Sequence, residues 1–205
     1  MENTVELIGY YGGDETHACS AWTSTHREIT PERQARLPAF LKQLAENGHH
    51  TPFEKSMLHF LVDSEVASHI HLLKHRIGVS VNAESARYKE FKEDRFYVPD
   101  DWPLAFQVGL GSWYREASEY YHHLCNKLTP ILGRKRAKES ARFVLPYGHQ
   151  LTSDISFNFR SFVHFYNLRH DPNEAQVEIA AIAEKMLELV RATGAFTHSI
   201  AAFNL

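Results

Sequence analysis

The chain has 205 residues, of which 43% are hydrophobic and 23% charged, enough for one soluble domain with a substantial core. A formal net charge of -3 argues against a nucleic-acid-binding protein, and no apolar stretch is long enough to span a membrane. The first residues lack the pattern of a secretory signal, and Cys19 and Cys125 give neither a disulfide framework nor a metal-site spacing. We therefore expect a cytoplasmic protein without a metal site.

The first third of the chain predicts alternating strands and helices. Residues 5–11 favour a short strand, and residues 31–47 favour a helix with Thr30 as its N-cap. The densely apolar residues 56–63 predict a buried strand. Ser64 is placed to cap a following helix through residue 76, whose C-terminal end would carry the sequence KHR.

The remainder predicts more helix and one further strand. Helices are expected over residues 104–128, with Gly109 and Gly111 as candidate interruptions, over 134–144, and over 174–193 with Asn173 as N-cap. Residues 151–160 alternate between apolar and polar side chains, which predicts a strand with one core face and one polar face, either solvated or functional. The pattern indicates a single α/β or α+β domain, rich in helix, covering residues 1–205.

Residues 74–88 (KHRIGVSVNAESARY) are unusually dense in hydrogen-bonding groups. Arginine offers a planar fork for phosphate, while serine and asparagine supply adaptable donors and acceptors for a polar ring. Gly78 would let a ligand approach the backbone closely. These features predict a site for an anionic nucleotide, although cations at a helix C-terminus also simply stabilise the helix.

Three arginines lie in apolar surroundings that demand a partner. Arg142 precedes Phe143, and Arg160 and Arg169 bracket the aromatic stretch SFVHFYNL. A buried guanidinium requires either an ion pair or a bound anion. The available acidic residues Asp154 and Asp171 leave both possibilities open for Arg160 and Arg169.

Other catalytic patterns are absent from the sequence. His71 and His75 have the i, i+4 spacing of two helical metal ligands, but no third ligand follows at a recognised spacing. There is no GxSxG, Walker A, GxGxxG or CxxC pattern, so no nucleophile-driven hydrolase is indicated.

Five blocks, in the right order, resemble the flavin-dependent thymidylate synthases, a family whose signature is RHRxxSxNExSxRY. That signature is matched by KHRIGVSVNAESARY at residues 74–88. The blocks GHHTPFE at 48–54, ARFVLP at 141–146, NFRS with NLR between 158 and 169, and AQVEI at 175–179 are similar to further family motifs. Each block alone is weak, and together they cover the chain from about the first long helix to near its end.

The resemblance implies a central, mostly antiparallel sheet flanked by helices and a homotetramer with active sites at subunit interfaces. It also implies bound FAD, reduced by NADPH, and a one-carbon unit taken from methylenetetrahydrofolate and transferred to C5 of dUMP to form dTMP. The partners would be dUMP and the folate, with neither nucleic acid nor membrane involved. No cysteine attacks the pyrimidine in this family.

Site residues follow from the resemblance by matching position. The expected catalytic residues are Arg169, which would favour ionisation of uracil N3, His49, which would assist the one-carbon step, and Ser85. The expected nucleotide-binding residues are His71, Lys74, Glu84, Ser85, Ala86, Arg87, Arg142 and Arg169, with Arg142 on the phosphate. The expected flavin-binding residues are Ser24, Thr51, Lys74, His75, Arg76, Ile77, Glu84, Asn158, Arg160 and His164.

The sequence departs from the family signature at several of these positions. Lys74 replaces arginine and loses its fork, and His71 and His164 stand where glutamine and asparagine are usual. Arg76 and Ser85 are separated by eight residues and not seven, and Ala83 follows Asn82 where the family has its acidic residue, so that Glu84 would take that role through a loop bulge. These departures leave open another pyrimidine nucleotide, a 5-hydroxymethyl product, or a non-catalytic nucleotide-binding module.

Overall fold

The computed structural model describes residues 1–85 and 87–205. Four strands form one sheet: β1 Thr4–Tyr11, β2 Met57–Glu65, β3 Val79–Ala83 and β4 Gln150–Phe157. Their order in the antiparallel sheet is β1-β2-β4-β3. The predicted mixed class with a central, antiparallel sheet is therefore confirmed.

Eight helices are formed by the described residues. They are α1 Asp14–Ala21, α2 Pro31–Glu46, α3 Val66–Leu73, α4 Leu104–Leu132, α5 Arg134–Ala141, α6 Phe159–Arg169, α7 Val177–Ala192 and α8 Thr197–Ala202. Three short 3-10 turns, Trp22–Ser24, Thr51–Glu54 and Arg142–Val144, complete the described secondary structure.

The described chain forms two compact units. The first unit contains Met1–Thr4, Asp63–Leu72 and Asn82–Ser153. The second unit contains Val5–Val62, Leu73–Val81 and Asp154–Leu205. The prediction of a single domain over residues 1–205 stays a prediction.

The core of the first unit is small and includes a buried hydroxyl. Phe91, Tyr121, Cys125 and Ala141 pack together, joining α4 and α5 to the segment after β3. The Phe91 amide donates to the Tyr121 hydroxyl at 3.2 Å. Burial raises the pKa of Tyr121 to about 12, so this hydroxyl stays protonated while it accepts the hydrogen bond.

The core of the second unit is largely aromatic and packs against α7. Phe159 stacks on Phe196 with ring centroids 5.3 Å apart, and Phe60 lies 5.9 Å from Phe162. The buried seam of α7 includes Ile179, Ile182 and Met186, which lie on one face of the helix.

A buried chain of hydrogen bonds ties α1 to α8 within the second unit. Asp14 accepts from the Ser199 hydroxyl at 2.6 Å, and His17 Nδ1 and Nε2 lie 2.8 Å from the hydroxyls of Ser199 and Ser56. Burial lowers the pKa of His17 to about 4. The imidazole is therefore neutral and serves as a structural link.

Elements with strong local signals lie where the sequence places them. β1 covers the predicted strand, and α2 begins at Pro31 with the Thr30 hydroxyl accepting from the Arg33 amide at 3.3 Å. Leu37 and Leu41 are buried on the expected face of α2. α4 runs through Gly109 and Gly111 without interruption and ends at Leu132, beyond the predicted boundary.

The predicted start and end of α3 are wrong. Ser64 and Glu65 remain in β2, and α3 runs from Val66 to Leu73. The Glu65 carboxylate accepts from the Ser68 amide at 3.0 Å and so takes the capping role expected of Ser64. The motif residues after Leu73 therefore follow the helix and do not belong to it.

The predicted end of the strand at residue 160 is also wrong. β4 ends at Phe157, because the Asn158 side chain accepts from the Ser161 amide at 2.8 Å and caps α6. Arg160 therefore lies in the first turn of α6 and not on the polar strand face.

Other elements differ from the sequence prediction. α7 begins at Val177 and not at residue 174, because Asn173 donates to Asp171 at 2.8 Å instead of capping a helix. The predicted loop after the KHR sequence contains β3, and α1 and α8 were not predicted.

Candidate active site

The KHR residues form the turn that follows α3 in the chain, and this turn belongs to the second unit. Lys74 and Arg76 are exposed, whereas His75 is buried against the Phe165 ring. Arg169 Nε donates to His75 Nε2 at 3.2 Å, so this imidazole nitrogen carries a lone pair. The His164 ring lies 6.1 Å from His75. The structure thus brings His75 together with two other predicted site residues, Arg169 and His164.

The free end of Arg169 is available to a ligand. Its Nη1 and Nη2 atoms make no hydrogen bond or ion pair within the described residues, while Nε is held by His75. A guanidinium fixed at Nε presents its two terminal nitrogens as a fork, which suits a planar group with developing negative charge.

Gly78 packs closely against the cap of α6. The Asn158 amide donates to the Gly78 carbonyl at 3.0 Å, and Gly78 has a φ of +64°. A Cβ placed on Gly78 would lie 2.1 Å from Asn158 Nδ2 and 2.4 Å from Ser161 Oγ. Only glycine fits here, so the motif turn and the predicted flavin residue Asn158 are fixed against one another.

Arg160 is not a buried cation. Its Nη1 lies 2.5 Å from Glu54 Oε1, and both side chains are partly exposed. The two acidic partners suggested by the sequence are used elsewhere, since Asp154 contacts His59 at 2.5 Å and Asp171 accepts from the Asn173 amide.

Three predicted residues of the second unit lie in exposed local turns. Ser24 ends the turn Trp22–Ser24, Thr51 begins the turn Thr51–Glu54, and His49 follows α2. The Ser24 hydroxyl donates only to the nearby Ala21 carbonyl at 3.4 Å. No hydrogen bond or ion pair joins any of the three to another predicted site residue in the described part of the chain.

Predicted nucleotide residues line a cavity of about 370 Å³ that lies entirely in the first unit. Its walls combine one guanidinium, one carboxylate, hydroxyls and an imidazole with aliphatic and aromatic faces. The lining residues are Val66, Ile70, Glu84, Ser85, Phe91, Arg142, Phe143, Leu145, Pro146, Tyr147, His149 and Leu151. A cation and a hydroxyl among apolar walls suit a phosphate attached to a sugar and a flat ring.

Glu84 is held by protein groups on both carboxylate oxygens. Oε2 lies 2.6 Å from Arg95 Nη2 and accepts from the Thr152 amide at 3.0 Å, while Oε1 is paired with Lys89. Burial alone would raise the pKa of Glu84, but the hydrogen bonds from Lys89 and Thr152 and the charges of Arg95 and Lys89 lower it overall. Glu84 is therefore ionised and anchors its neighbour Ser85 to β4.

Arg95 extends this network to β2. Its Nη1 lies 3.1 Å from Asp63 Oδ1, and the Thr152 hydroxyl donates to the same oxygen. The cluster pairs the carboxylates of Asp63 and Glu84 with the cations of Arg95 and Lys89, so its charges balance.

The rest of the motif lies against α5. Arg87 Nε lies 3.2 Å from Glu139 Oε1, and Lys138 Nζ donates to the Tyr88 carbonyl at 3.0 Å. His71 lies in the last turn of α3. Ala86, a predicted nucleotide contact, lies outside the described residues.

The arrangement does not resemble a metal centre. Within residues 1–85 and 87–205, no group of three His, Cys, Asp or Glu side chains is placed to hold a metal ion. Since α3 ends at Leu73, His71 and His75 do not share the helix face that their spacing suggested. None of the helices in the described chain has the length and apolar character that crossing a membrane requires.

The model of one protein family, described as thymidylate synthase complementing protein, matches residues 6–193. The flavin-dependent thymidylate synthase of Streptomyces avermitilis is 30% identical over 210 residues, covering 89% of this chain and 84% of that protein. The enzyme of the same name from Thermosipho africanus is 32% identical over 192 residues, covering 87% and 82%.

The chain belongs to the flavin-dependent thymidylate synthase family. Among solved structures, the UMP/dUMP methylase PolB from Streptomyces cacaoi bound with 5-Br dUMP has a TM-score of 0.82 and 28% identity, covering 99% of this chain and 95% of that one. The same methylase bound with 5-Br UMP gives a TM-score of 0.80 and 27% identity, covering 98% and 93%.

Two residues of the first unit were missed by sequence reasoning. Arg95 organises the Glu84 network, and His149 lines the cavity beside Arg142. Neither belongs to a motif block, and their contacts join positions far apart in the chain. A charged or titratable residue in an irregular segment is the only signal that the sequence offers for them.

Proposed function

We propose that this chain converts dUMP to dTMP, taking the one-carbon unit from methylenetetrahydrofolate, with reduced FAD as the hydride source and NADPH as the reductant of the flavin. The observation that carries this proposal is the cavity in which Arg142 and Ser85 are presented beside the anchored Glu84. Arg142 would bind the phosphate, and Ser85, Ala86 and Arg87 would hold the nucleotide.

Arg169 is proposed to act on the uracil ring. Its charge is permanent, and its Nε atom is held by His75, so the terminal nitrogens can stabilise a negative charge at N3 and O2 or O4. Ionisation at N3 raises the electron density at C5, the atom that must form the new carbon–carbon bond. His49 is proposed to assist the one-carbon step.

The residues of the second unit fit a flavin cofactor. Lys74 and Arg76 offer exposed cations for its phosphates, and the Ile77 side chain, which is 90% exposed, offers an apolar surface. Asn158 is held at the α6 cap by Gly78, beside the exposed Arg160 and His164. Ser24, Thr51 and Glu84 complete the proposed flavin set, and the bound flavin would supply the redox chemistry.

We further propose a cytoplasmic homotetramer. The resemblance implies active sites assembled from residues of different subunits. Three of the proposed flavin ligands, Lys74, Arg76 and Arg160, are exposed cations, which is consistent with completion of the site by a cofactor and a partner chain. Sedimentation or light scattering of the FAD-loaded protein should give four times the monomer mass, and a monomer in the presence of FAD and dUMP would contradict this part.

A flavin spectrum tests the proposal most directly. We expect the purified protein to bind FAD, turn yellow, and change its flavin absorbance when dUMP is added. Tritium should be released from C5-labelled dUMP, and the product mass should be that of dTMP. A protein that stays colourless after saturation with FAD and dUMP would contradict the enzyme assignment, and a hydroxymethyl product would contradict the thymidylate assignment.

UMP is a second candidate substrate. PolB, which shares the fold over 99% of this chain, is a UMP/dUMP methylase. The same tritium assay with C5-labelled UMP decides whether this chain also accepts the ribonucleotide.

A further inference from the structure

His149 is a buried histidine that no motif or proposed role uses. The residue is among those that line the first-unit cavity together with Ser85 and Arg142, and it is 3% exposed. Its backbone is fully engaged, since its amide donates to the Pro146 carbonyl at 3.0 Å and its carbonyl accepts from the Val66 amide at 3.0 Å. Neither ring nitrogen has a hydrogen-bond partner among the described residues.

Packing alone does not account for an imidazole at this position. The His149 ring lies 4.5 Å from the Phe91 ring and 5.8 Å from the Phe96 ring, an aromatic environment in which phenylalanine would pack without any polar group. A buried donor and acceptor without partners destabilise the free protein. Such a group is retained at a functional site when a ligand supplies the missing partner.

The charge state of His149 limits what this partner can be. Burial and the positive charge of Arg95 lower its pKa to about 4, although Glu84 and Asp94 oppose this shift. The neutral ring has one N–H donor and one lone pair. It therefore suits a hydroxyl or a carbonyl, whereas the phosphate dianion is better matched by Arg142 in the same cavity.

We propose that His149 is a further substrate-specificity residue, which hydrogen-bonds an uncharged oxygen of the bound pyrimidine nucleotide on its sugar or its ring. This inference rests on the proposed function, because it takes the cavity to be the nucleotide site. The ring nitrogens of His149 are buried, so a hydrogen bond formed there discriminates strongly between ligands that have the matching oxygen and those that lack it.

Two variants separate hydrogen bonding from packing. His149→Phe keeps an aromatic ring between Phe91 and Phe96 but removes both polar atoms, while His149→Asn keeps an uncharged donor and acceptor but removes the ring. With FAD-loaded protein, calorimetric titration should give about a tenfold weaker Kd for nucleotide in the Phe variant, the loss of one buried hydrogen bond. The Asn variant should bind within a few-fold of wild type, and the melting temperature of the Phe variant should equal or exceed that of wild type.

Titrating both dUMP and UMP identifies the oxygen. A loss confined to UMP assigns the 2′-hydroxyl, and an equal loss for both nucleotides assigns an oxygen that they share. A folded Phe variant that binds both nucleotides as tightly as wild type overturns the inference, and so does an Asn variant that binds no better than the Phe variant. Wild-type protein that binds neither nucleotide contradicts the proposed function itself, which distinguishes the two failures.

Discussion

The two groups of proposed site residues are built in different ways. In the first unit, Glu84 is fixed by Arg95, Lys89 and Thr152, and Ser85 follows it into the wall of a cavity. In the second unit, Lys74 and Arg76 stand exposed in a turn, whereas a hydrogen bond joins their neighbour His75 to Arg169. The nucleotide group is preorganised by the protein, whereas the flavin group leaves most of its charge for a ligand to neutralise.

This difference has an energetic meaning. A preorganised group has already lost its conformational entropy on folding, so it binds without a further ordering cost. Exposed lysine and arginine side chains must be ordered when the cofactor arrives, and their contribution is reduced by salt. We therefore expect substitutions in the first unit to affect stability and nucleotide binding together, and substitutions in the second unit to affect turnover or flavin binding.

The largest expected effect is that of Arg169→Ala. Removing one preorganised donor to developing negative charge typically costs about a hundredfold or more in rate, and we expect at least this loss in tritium release from dUMP. Flavin affinity, measured from the flavin spectrum, should stay within a few-fold of wild type. The matched control Arg36→Ala, an exposed arginine of α2, should leave both unchanged. Loss of FAD from the Arg169 variant would show that its role is misassigned.

Arg95→Met tests the preorganisation of the first unit. The change leaves the carboxylates of Asp63 and Glu84 without their shared cation, and we expect the free energy of unfolding to fall by about 2 kcal/mol, less than for a fully buried pair because all three side chains are partly exposed. Nucleotide Kd should rise while flavin Kd changes little. Urea denaturation and titration with dUMP measure the two effects.

Arg136→Met is the control for this change. Arg136 pairs with Glu139 at 3.2 Å on an exposed face of α5, so its removal should cost less than about 0.5 kcal/mol. If Arg95→Met were as mild as Arg136→Met, the ion network would not be what fixes Glu84.

Gly78→Ala tests the one close contact within the flavin group. The left-handed φ and the 2.1 Å approach to Asn158 Nδ2 require the cap of α6 to move, at a cost on the order of 2 kcal/mol. FAD affinity should fall with stability, because Asn158 is displaced. Gly109→Ala in α4, where an added Cβ meets no atom, should instead stabilise the helix by up to about 1 kcal/mol. Unchanged FAD affinity in a folded Gly78 variant would remove Asn158 from the flavin set.

The pH dependence of stability compares one buried histidine from each unit. His17 and His149 both have a folded pKa of about 4, below the unfolded value of 6.5, so the unfolded state binds more protons between these values. Their contribution to stability is complete above about pH 6.5 and is lost as pH falls towards 4, at about 1.4 kcal/mol per pH unit for each histidine. His149→Phe should reduce the slope of the unfolding free energy against pH by the contribution of one histidine. An unchanged slope would mean that folding does not lower the pKa of His149.

Local sequence signals predicted the elements whose ends are set by neighbouring residues. Thr30 caps α2 through the Arg33 amide, and the predicted helix is observed. The end of β4 was missed because apolar alternation continues through Phe157 and Phe159, although the Asn158 side chain already starts a helix. β3 was not predicted because it is short, and its polar residues Ser80 and Asn82 also suit a ligand-binding loop.

The candidate site residues could be named from the sequence because they lie in ordered motif blocks. The contacts that fix them could not, since Arg95 meets Glu84 and Asp63 from an irregular segment and no pattern in the sequence pairs these positions. His149 was missed for the same reason: whether a histidine is buried without a hydrogen-bond partner depends on the packing of Phe91 and Phe96 around it. Residue types therefore indicate which groups could bind a ligand, whereas the contacts that hold those groups in place become visible only in the folded structure.

The extra residue of the motif lies between Arg76 and Ser80, where the signature has two residues and this chain has Ile77, Gly78 and Val79. Ala83 itself is the last residue of β3 and not part of a bulged loop. Because β3 begins at Val79, removing the extra residue would shift the strand by one position and break the pairing of Glu84 with Thr152. Point substitutions alone therefore cannot convert this motif into the shorter form. A chimera with a relative of the shorter spacing would have to exchange residues 77–95 as one block, so that the strand, its ion network and its register are inherited together.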